Sequence, residues 1–123
     1  MWRDFTYVDD LVYSIRLLID KIPSEKNRIS GDNLSKVAPF RIINIGNSNK
    51  IFLEDFINAF EMALEKKAVR NYVKMQTGDV TATWADVSLL KSLTGYNPNT
   101  SIIDGVKLFC DWYKNYNSRL FIK

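Results

Sequence analysis

The sequence predicts a small α/β domain. Three observations carry this. The run Arg3-Asp-Phe-Thr-Tyr-Val is rich in aromatic and β-branched residues, which suit a pleated surface. Apolar residues then recur at helical spacing, at Leu11, Val12, Ile15, Leu18, Ile19 and Ile22. The same order returns further on, where the apolar run at 40–45 is followed by a helical stripe at Leu53, Phe56, Ile57, Phe60, Ala63 and Leu64.

The first strand is read over 3–8 and the first helix over 10–22. Asp9 and Asp10 stand between them, and an Asp oxygen can accept from the open N–H groups of a first turn. Pro23 ends the helix, because proline disfavours helix in the residue before it and cannot donate. Residues 23–38 are polar and rich in turn formers, so a mobile surface loop is expected, with Lys26 and Arg28 solvated. The second strand, over 40–45, is a short isoleucine-rich run that reads as mostly buried and closes at Gly46. Asn44 interrupts it, and a buried amide there requires partners.

The second helix is expected over 53–66. Its phenylalanines read as core. Glu54, Asp55, Glu61 and Glu65 take the solvent side, and Lys66 and Lys67 sit at the end that the helix dipole favours for cations. A short third strand is read over 72–75. Gln76, Thr77, Gly78 and Asp79 make a turn that needs the freedom of glycine. Trp84 and Ala85 form a brief extended piece. Asp86 caps a short helix over 87–94 that ends at Gly95. Ser101 and Asp104 come close to a capping box for the last helix, over 102–117, whose buried side is read as Ile102, Val106, Phe109, Tyr113 and Tyr116. The tail, 118–123, is expected to fray, unless Leu120, Phe121 and Ile122 dock.

At 123 residues the chain is one domain or part of one, and 46% apolar content is enough for a real core. No apolar run approaches the roughly 18 residues of a membrane span, and no targeting segment opens the chain, so a cytoplasmic protein is expected. There is no histidine. This removes Ser–His–Asp and Cys–His catalysis and metal sites built on histidine with cysteine; no metal is expected. The single Cys110 sits among Leu108, Phe109 and Trp112 and reads as a buried structural thiol. The net charge of +3 is mild and its lysines and arginines are scattered, so nucleic-acid binding ranks last among the functional readings.

Four pieces stand in one order: Arg3-Asp-Phe-Thr-Tyr-Val-Asp-Asp; Ile43-Asn-Ile-Gly-Asn; Gln76-Thr-Gly-Asp-Val with Trp84-Ala-Asp; and Leu93-Thr-Gly-Tyr-Asn-Pro-Asn-Thr with a helix ending Asp111-Trp-Tyr. Together they resemble the carboxyl-terminal part of extended short-chain dehydrogenases/reductases that act on nucleotide sugars, most of all the UDP-glucuronate 4-epimerase type. The resemblance implies a carboxyl-terminal fragment of a Rossmann-type fold, with short strands and about four helices. It implies residues 1–117 as the nucleotide-sugar-binding part, with the Rossmann half missing. Family members carry a Gly-rich phosphate loop and a Tyr-x-x-x-Lys pair; neither pattern occurs in this sequence.

The resemblance thus implies the substrate-gripping portion of an NAD-dependent epimerase, inactive alone. NAD belongs to the full-length family, and neither a bound cofactor nor a catalytic residue is expected in this chain. The substrate-binding positions carried over are Arg3, for the diphosphate of a UDP-sugar, and Gln76, Gly78 and Asp79, near its ribose and phosphates. A guanidinium fork suits phosphate oxygens. The plainer alternatives are an Arg3 paired with Asp4 or Asp9, and an Asp79 that only stabilises its turn. Many relatives have Pro where Thr77 stands and some have Arg where Gln76 stands. Asp9, Asp10 and Asp86 read as caps rather than ligands. A second reading is a catalytically dead remnant or interaction module. Removing the Rossmann half would bare an apolar face, which invites self-association or pairing with a separate Rossmann-containing chain.

Overall fold

The structure, a computed structural model, describes residues 1–120, with side chains to Ser118. Two short strands and four α-helices appear in the order β1 (Trp2–Asp4), α1 (Val8–Ile19), β2 (Lys50–Phe52), α2 (Leu53–Leu64), α3 (Ser88–Thr94) and α4 (Ile102–Leu120), with a 3-10 turn at Glu25–Asn27. The chain divides into two compact units. One holds Met1–Arg3, Lys50–Thr83 and Ser101–Lys123; the other holds Asp4–Asn49 and Trp84–Thr100.

In the first unit β1 pairs with β2, and Trp2 makes an isolated parallel bridge to Ala82. Helix α2 lies on α4 around Ala59, Val106 and Cys110, with Phe56, Phe60, Ala63, Leu64 and Ile102 packed against them. The buried face of α4 therefore runs Ile102, Val106, Cys110, at i, i+4 and i+8. Phe109, Tyr113 and Tyr116, expected inside, flank that line and are about half exposed. Along the helix Trp112 stacks on Tyr116 with centroids 5.3 Å apart and Phe109 stacks on Tyr113 at 6.2 Å, while Phe109 and Trp112 meet tilted at 5.8 Å. Ser101 Oγ accepts from Asp104 N at 3.1 Å and starts α4 as expected. The helix runs on to Leu120, past the expected end at 117; the expected docking of Phe121 and Ile122 lies outside the described residues.

Two expectations for α2 change. The helix stops at Leu64, with Glu65 in the left-handed region at φ 54°, so Lys66 and Lys67 lie beyond it. Glu61, read as a solvent-side residue, is buried. Its carboxylate accepts from Lys67 Nζ at 2.6 Å, Ala68 N at 3.0 Å and an Arg70 nitrogen at 3.1 Å. The strand expected over 72–75 does not form; Tyr72 instead donates to Glu54 Oε1 at 3.2 Å.

In the second unit α1 packs on α3, which ends at Gly95 with φ 74°, as the sequence predicts. Helix α1 starts two residues early, with Tyr7 at its N-cap position and no side-chain cap, so neither Asp9 nor Asp10 caps it. The strand expected over 3–8 accordingly shrinks to β1. The packed side of α1 is also not the one expected. Asp10 and Ser14 are buried, while Val8, Leu11, Val12, Ile15 and Ile19 face outward. Ser14 Oγ bonds back to the Asp10 carbonyl at 2.7 Å, which seals the hydroxyl against α1 itself.

The segment read as a mobile surface loop, 23–38, carries side-chain ties within itself and to the residues that follow it. The Arg41 guanidinium and the Asp32 carboxylate lie 3.0 Å apart with both side chains almost wholly buried. Arg28 is exposed as expected, and it also bonds to Glu25 and to the Leu34 carbonyl. The strand expected over 40–45 finds no strand neighbour among the described residues.

Candidate functional site

In the first unit the sequence brings Arg3 to the turn at 76–79 through the backbone of Trp2. Trp2 N donates to Thr81 O at 2.9 Å, and Thr83 N donates to Trp2 O at 3.3 Å. This bridge draws the chain after the turn alongside β1. Arg3 then reaches it: its NH1 donates to Val80 O at 3.0 Å and to Trp2 O at 2.8 Å. Both acceptors are carbonyl oxygens, so the expected alternative of a carboxylate partner is not what holds Arg3. A guanidinium has five N–H donors, and these two bonds use one of its nitrogens.

The turn itself closes through Asp79 N to Gln76 O at 3.1 Å, with Gly78 at φ 96°. That φ is open to glycine and strains any other residue. Gln76, Gly78 and Asp79 are all exposed. The four sequence-predicted positions are thus gathered in one unit, with Arg3 touching the residue directly after Asp79. The bridge at Ala82 that does this has no sequence signal beyond the threonines around it; sequence reading placed the extended piece two residues later, at Trp84.

The second unit contains a hub that sequence reading missed. Asp4 accepts three backbone N–H bonds at 3.0 Å each, from Asn47 to Oδ1 and from Ser48 and Ala85 to Oδ2. Gly46 sits against it. A Cβ on Gly46 would lie 2.6 Å from Ala85 Cβ and 2.9 Å from Asp4 Oδ2. The Ile-Gly-Asn and Trp-Ala-Asp motifs thus meet on one carboxylate, and the glycine is required by close approach. Asn44 donates to Asp86 O at 3.3 Å, and Asn47 donates to Thr100 O at 2.9 Å.

Asp10 makes the second anchor of this unit. It accepts from Tyr96 Oη at 2.6 Å and from Thr100 N at 3.0 Å. Burial works against its ionisation, but these bonds prevail and hold its pKa below the usual value. Burial, and then the Asp10 carboxylate, push the Tyr96 hydroxyl up to about 12. Asp86, expected as a cap for α3, accepts from Ser88 N at 2.9 Å from just before the helix. These acidic residues are scaffold: each organises backbone. Among the described residues no three potential metal-binding side chains gather, and no helix is long and apolar enough to cross a membrane.

No family model matches the chain. It is 45% identical over 121 residues to a Rhizobium meliloti protein named "Probable UDP-glucuronate 4-epimerase", matching 94% of this chain and 36% of that protein. It is 38% identical to UDP-glucuronate 4-epimerase 4 of Arabidopsis thaliana, over 94% of this chain and 26% of that protein. Among solved structures it is similar to the Bacillus cereus UDP-glucuronic acid 4-epimerase in complex with UDP-glucuronic acid and NAD. The TM-score there is 0.71 and the identity 30%, over 94% of this chain and 32% of that one. The Bifidobacterium longum UDP-glucose 4-epimerase shares the fold at TM-score 0.73 and 21% identity. The chain spans about a quarter to a third of the length of these relatives.

Proposed function

We propose that this chain, which belongs to the NAD-dependent nucleotide-sugar epimerase family as a stretch of about a third of its members' length, is the UDP-sugar-binding portion of a UDP-glucuronate 4-epimerase-like enzyme, working in the cytoplasm and inactive alone. The observation that carries the reading is the Arg3–Val80 bond at 3.0 Å, which sets a guanidinium beside the turn of Gln76, Gly78 and Asp79. Arg3 supplies the cation for a diphosphate, with the remaining donors of its fork. The exposed turn supplies backbone and side-chain polar groups beside it, for the phosphates and ribose. Arg3 is held by carbonyls, which leave its charge unneutralised and suit it to an incoming anion.

NAD, when bound to the complete enzyme, supplies reversible hydride transfer at the sugar. This chain's residues grip and orient the nucleotide; none is assigned to the hydride step. The cofactor loop and the Tyr-x-x-x-Lys pair have no counterpart in the sequence, so turnover requires a Rossmann half supplied by other residues.

Calorimetric titration of UDP tests this reading. The chain is expected to bind UDP with a Kd of about 1 mM, and Arg3→Ala to weaken binding about tenfold, in line with the loss of a charged hydrogen bond. Uridine is expected not to bind. Equal affinity of wild type and Arg3→Ala would overturn the assignment.

The second reading, an interaction module that pairs with a Rossmann-containing chain or with itself, is favoured by the outward apolar residues of α1. It is compatible with the first, because a substrate-gripping portion without its other half has a face to cover.

A further inference from the structure

Gln76, Gly78 and Asp79 are exposed. Among the described residues their one hydrogen bond is the bond that closes the turn, Asp79 N to Gln76 O at 3.1 Å. The place of the turn is therefore set by where the chain enters and leaves it. The exit is fixed at once, because Val80 O accepts from Arg3 and Thr81 O accepts from Trp2 N. The entrance is the stretch after α2, which forms neither helix nor strand. Val73, Lys74 and Met75 are exposed, and among the described residues no hydrogen bond or ion pair holds them.

The last hold before that stretch is Arg70, with Tyr72 beside it. Arg70 NH1 donates to Glu54 Oε2 at 2.7 Å, and NH2 donates to Asn58 Oδ1 at 3.0 Å and to Glu61 Oε1 at 3.1 Å. Glu54, Asn58 and Glu61 stand at i, i+4 and i+7 on α2, one line along the helix. One guanidinium thus draws together side chains that start about 10 Å apart along the axis. Tyr72 Oη donates to Glu54 Oε1 at 3.2 Å. The side chains of Arg70, Glu54 and Glu61 are only 30%, 31% and 7% exposed, so solvent screens these pairs less than an open surface pair. Lys67 and Ala68 also bond to Glu61, but they lie nearer α2 and leave a longer approach to the turn.

We infer that Arg70 is a positioning residue for the nucleotide site: its clamp on Glu54, Asn58 and Glu61 fixes the entrance to the 76–79 turn, as Arg3 and Trp2 fix its exit. What the turn binds rests on the proposed function. Arg70 acts by shortening the untied chain. With the clamp in place that chain is 73–79. Without Arg70 it becomes 69–79, because one hydroxyl bond from an exposed Tyr72 does not hold the segment by itself. Closing the longer loop lowers the population of the ordered turn about twofold. This is smaller than the loss expected on removing Arg3, as suits a residue that orders the turn from outside it.

UDP titration and NMR relaxation on the same samples test it. In Arg70→Ala, UDP affinity is expected to fall about twofold, and the order parameters of Gly78 and Asp79 to drop from about 0.85 to below about 0.6. The Ala59 and Val106 amides of the α2–α4 core are expected to keep their exchange rates. Lys67→Ala is the control. It removes the shortest bond to Glu61 but leaves the clamp, and is expected to keep wild-type UDP affinity and wild-type order at Gly78. Should Arg70→Ala fail to fold, Glu54→Ala carries the test, because Glu61 keeps its three partners and the outer end of the clamp is lost; a drop in order at Gly78 is again expected. Unchanged order at Gly78 in the folded variant overturns the proposal. So does a Lys67→Ala chain whose turn loosens as much, which would make the network one of stability alone. A wild type that does not bind UDP sinks the substrate role, while the order at Gly78 still decides the clamp. UDP binding shared equally by wild type and Arg70→Ala sinks only this inference.

Discussion

Asp4 and Gly46 show how one residue can decide a site. A carboxylate bound by three N–H groups is a strong local organiser, because each bond is charge-assisted. Removing it leaves three donors to find water or remain unsatisfied. Asp4→Ala is expected to cost about 2–4 kcal/mol, and Gly46→Ala about 2–3 kcal/mol from overpacking against Ala85. Urea unfolding measures both; a Gly46→Ala chain as stable as wild type would mean that the close approach is not real. Tyr96 adds a pH dependence. Its pKa is raised from 10.0 to about 12, so its protonated form is favoured by folding. The stabilisation is full below about pH 10 and disappears as pH rises through about 12. Tyr96→Phe is expected to flatten the stability curve in that window and to lose about 1–2 kcal/mol near neutral pH.

At the scale of elements, whatever local sequence dictates was legible. The four helices, the Gly95 terminus and the Ser101 start arise from periodicity and capping chemistry. The features that were not legible depend on partners distant in sequence. The apolar stripe of α1 has core spacing, but periodicity cannot say that Asp10 would be drawn inward by Tyr96 and Thr100, 86 and 90 residues away. The strand over 40–45 has strand composition, yet a ladder needs a neighbour as well as propensity. Glu61 fell on the polar side of α2 in sequence, and the chain after the helix folds over it. Lys67 first, then the Ala68 N–H, hold its carboxyl down to about 2. Because that pKa is depressed, the stabilisation is present above about pH 4.5 and is lost as pH falls through about 2. Glu61→Gln is expected to remove this acid-side slope, followed by circular dichroism of α2; an unchanged slope would mean that Glu61 does not tie 65–70 to the helix.

At the scale of the whole molecule, the candidate site was legible only through resemblance. Composition and spacing lead to an α/β domain without histidine chemistry, and no further. The motif order identifies Arg3 and the turn at Gly78; the bridge of Trp2 to Ala82, which sets them side by side, belongs to tertiary structure. The scaffold acids Asp4 and Asp10 carry no phosphate-binding signature and were read as alternatives or caps, because a carboxylate that collects distant amides looks like any other in sequence.

The most direct test is an amide-resolved NMR titration of this chain with UDP. If Arg3 and its neighbouring turn grip the diphosphate, shifts centre on Arg3, Gly78 and Asp79, are reproduced by pyrophosphate and are absent with uridine. Shifts elsewhere, or none at about 5 mM UDP, would contradict that role.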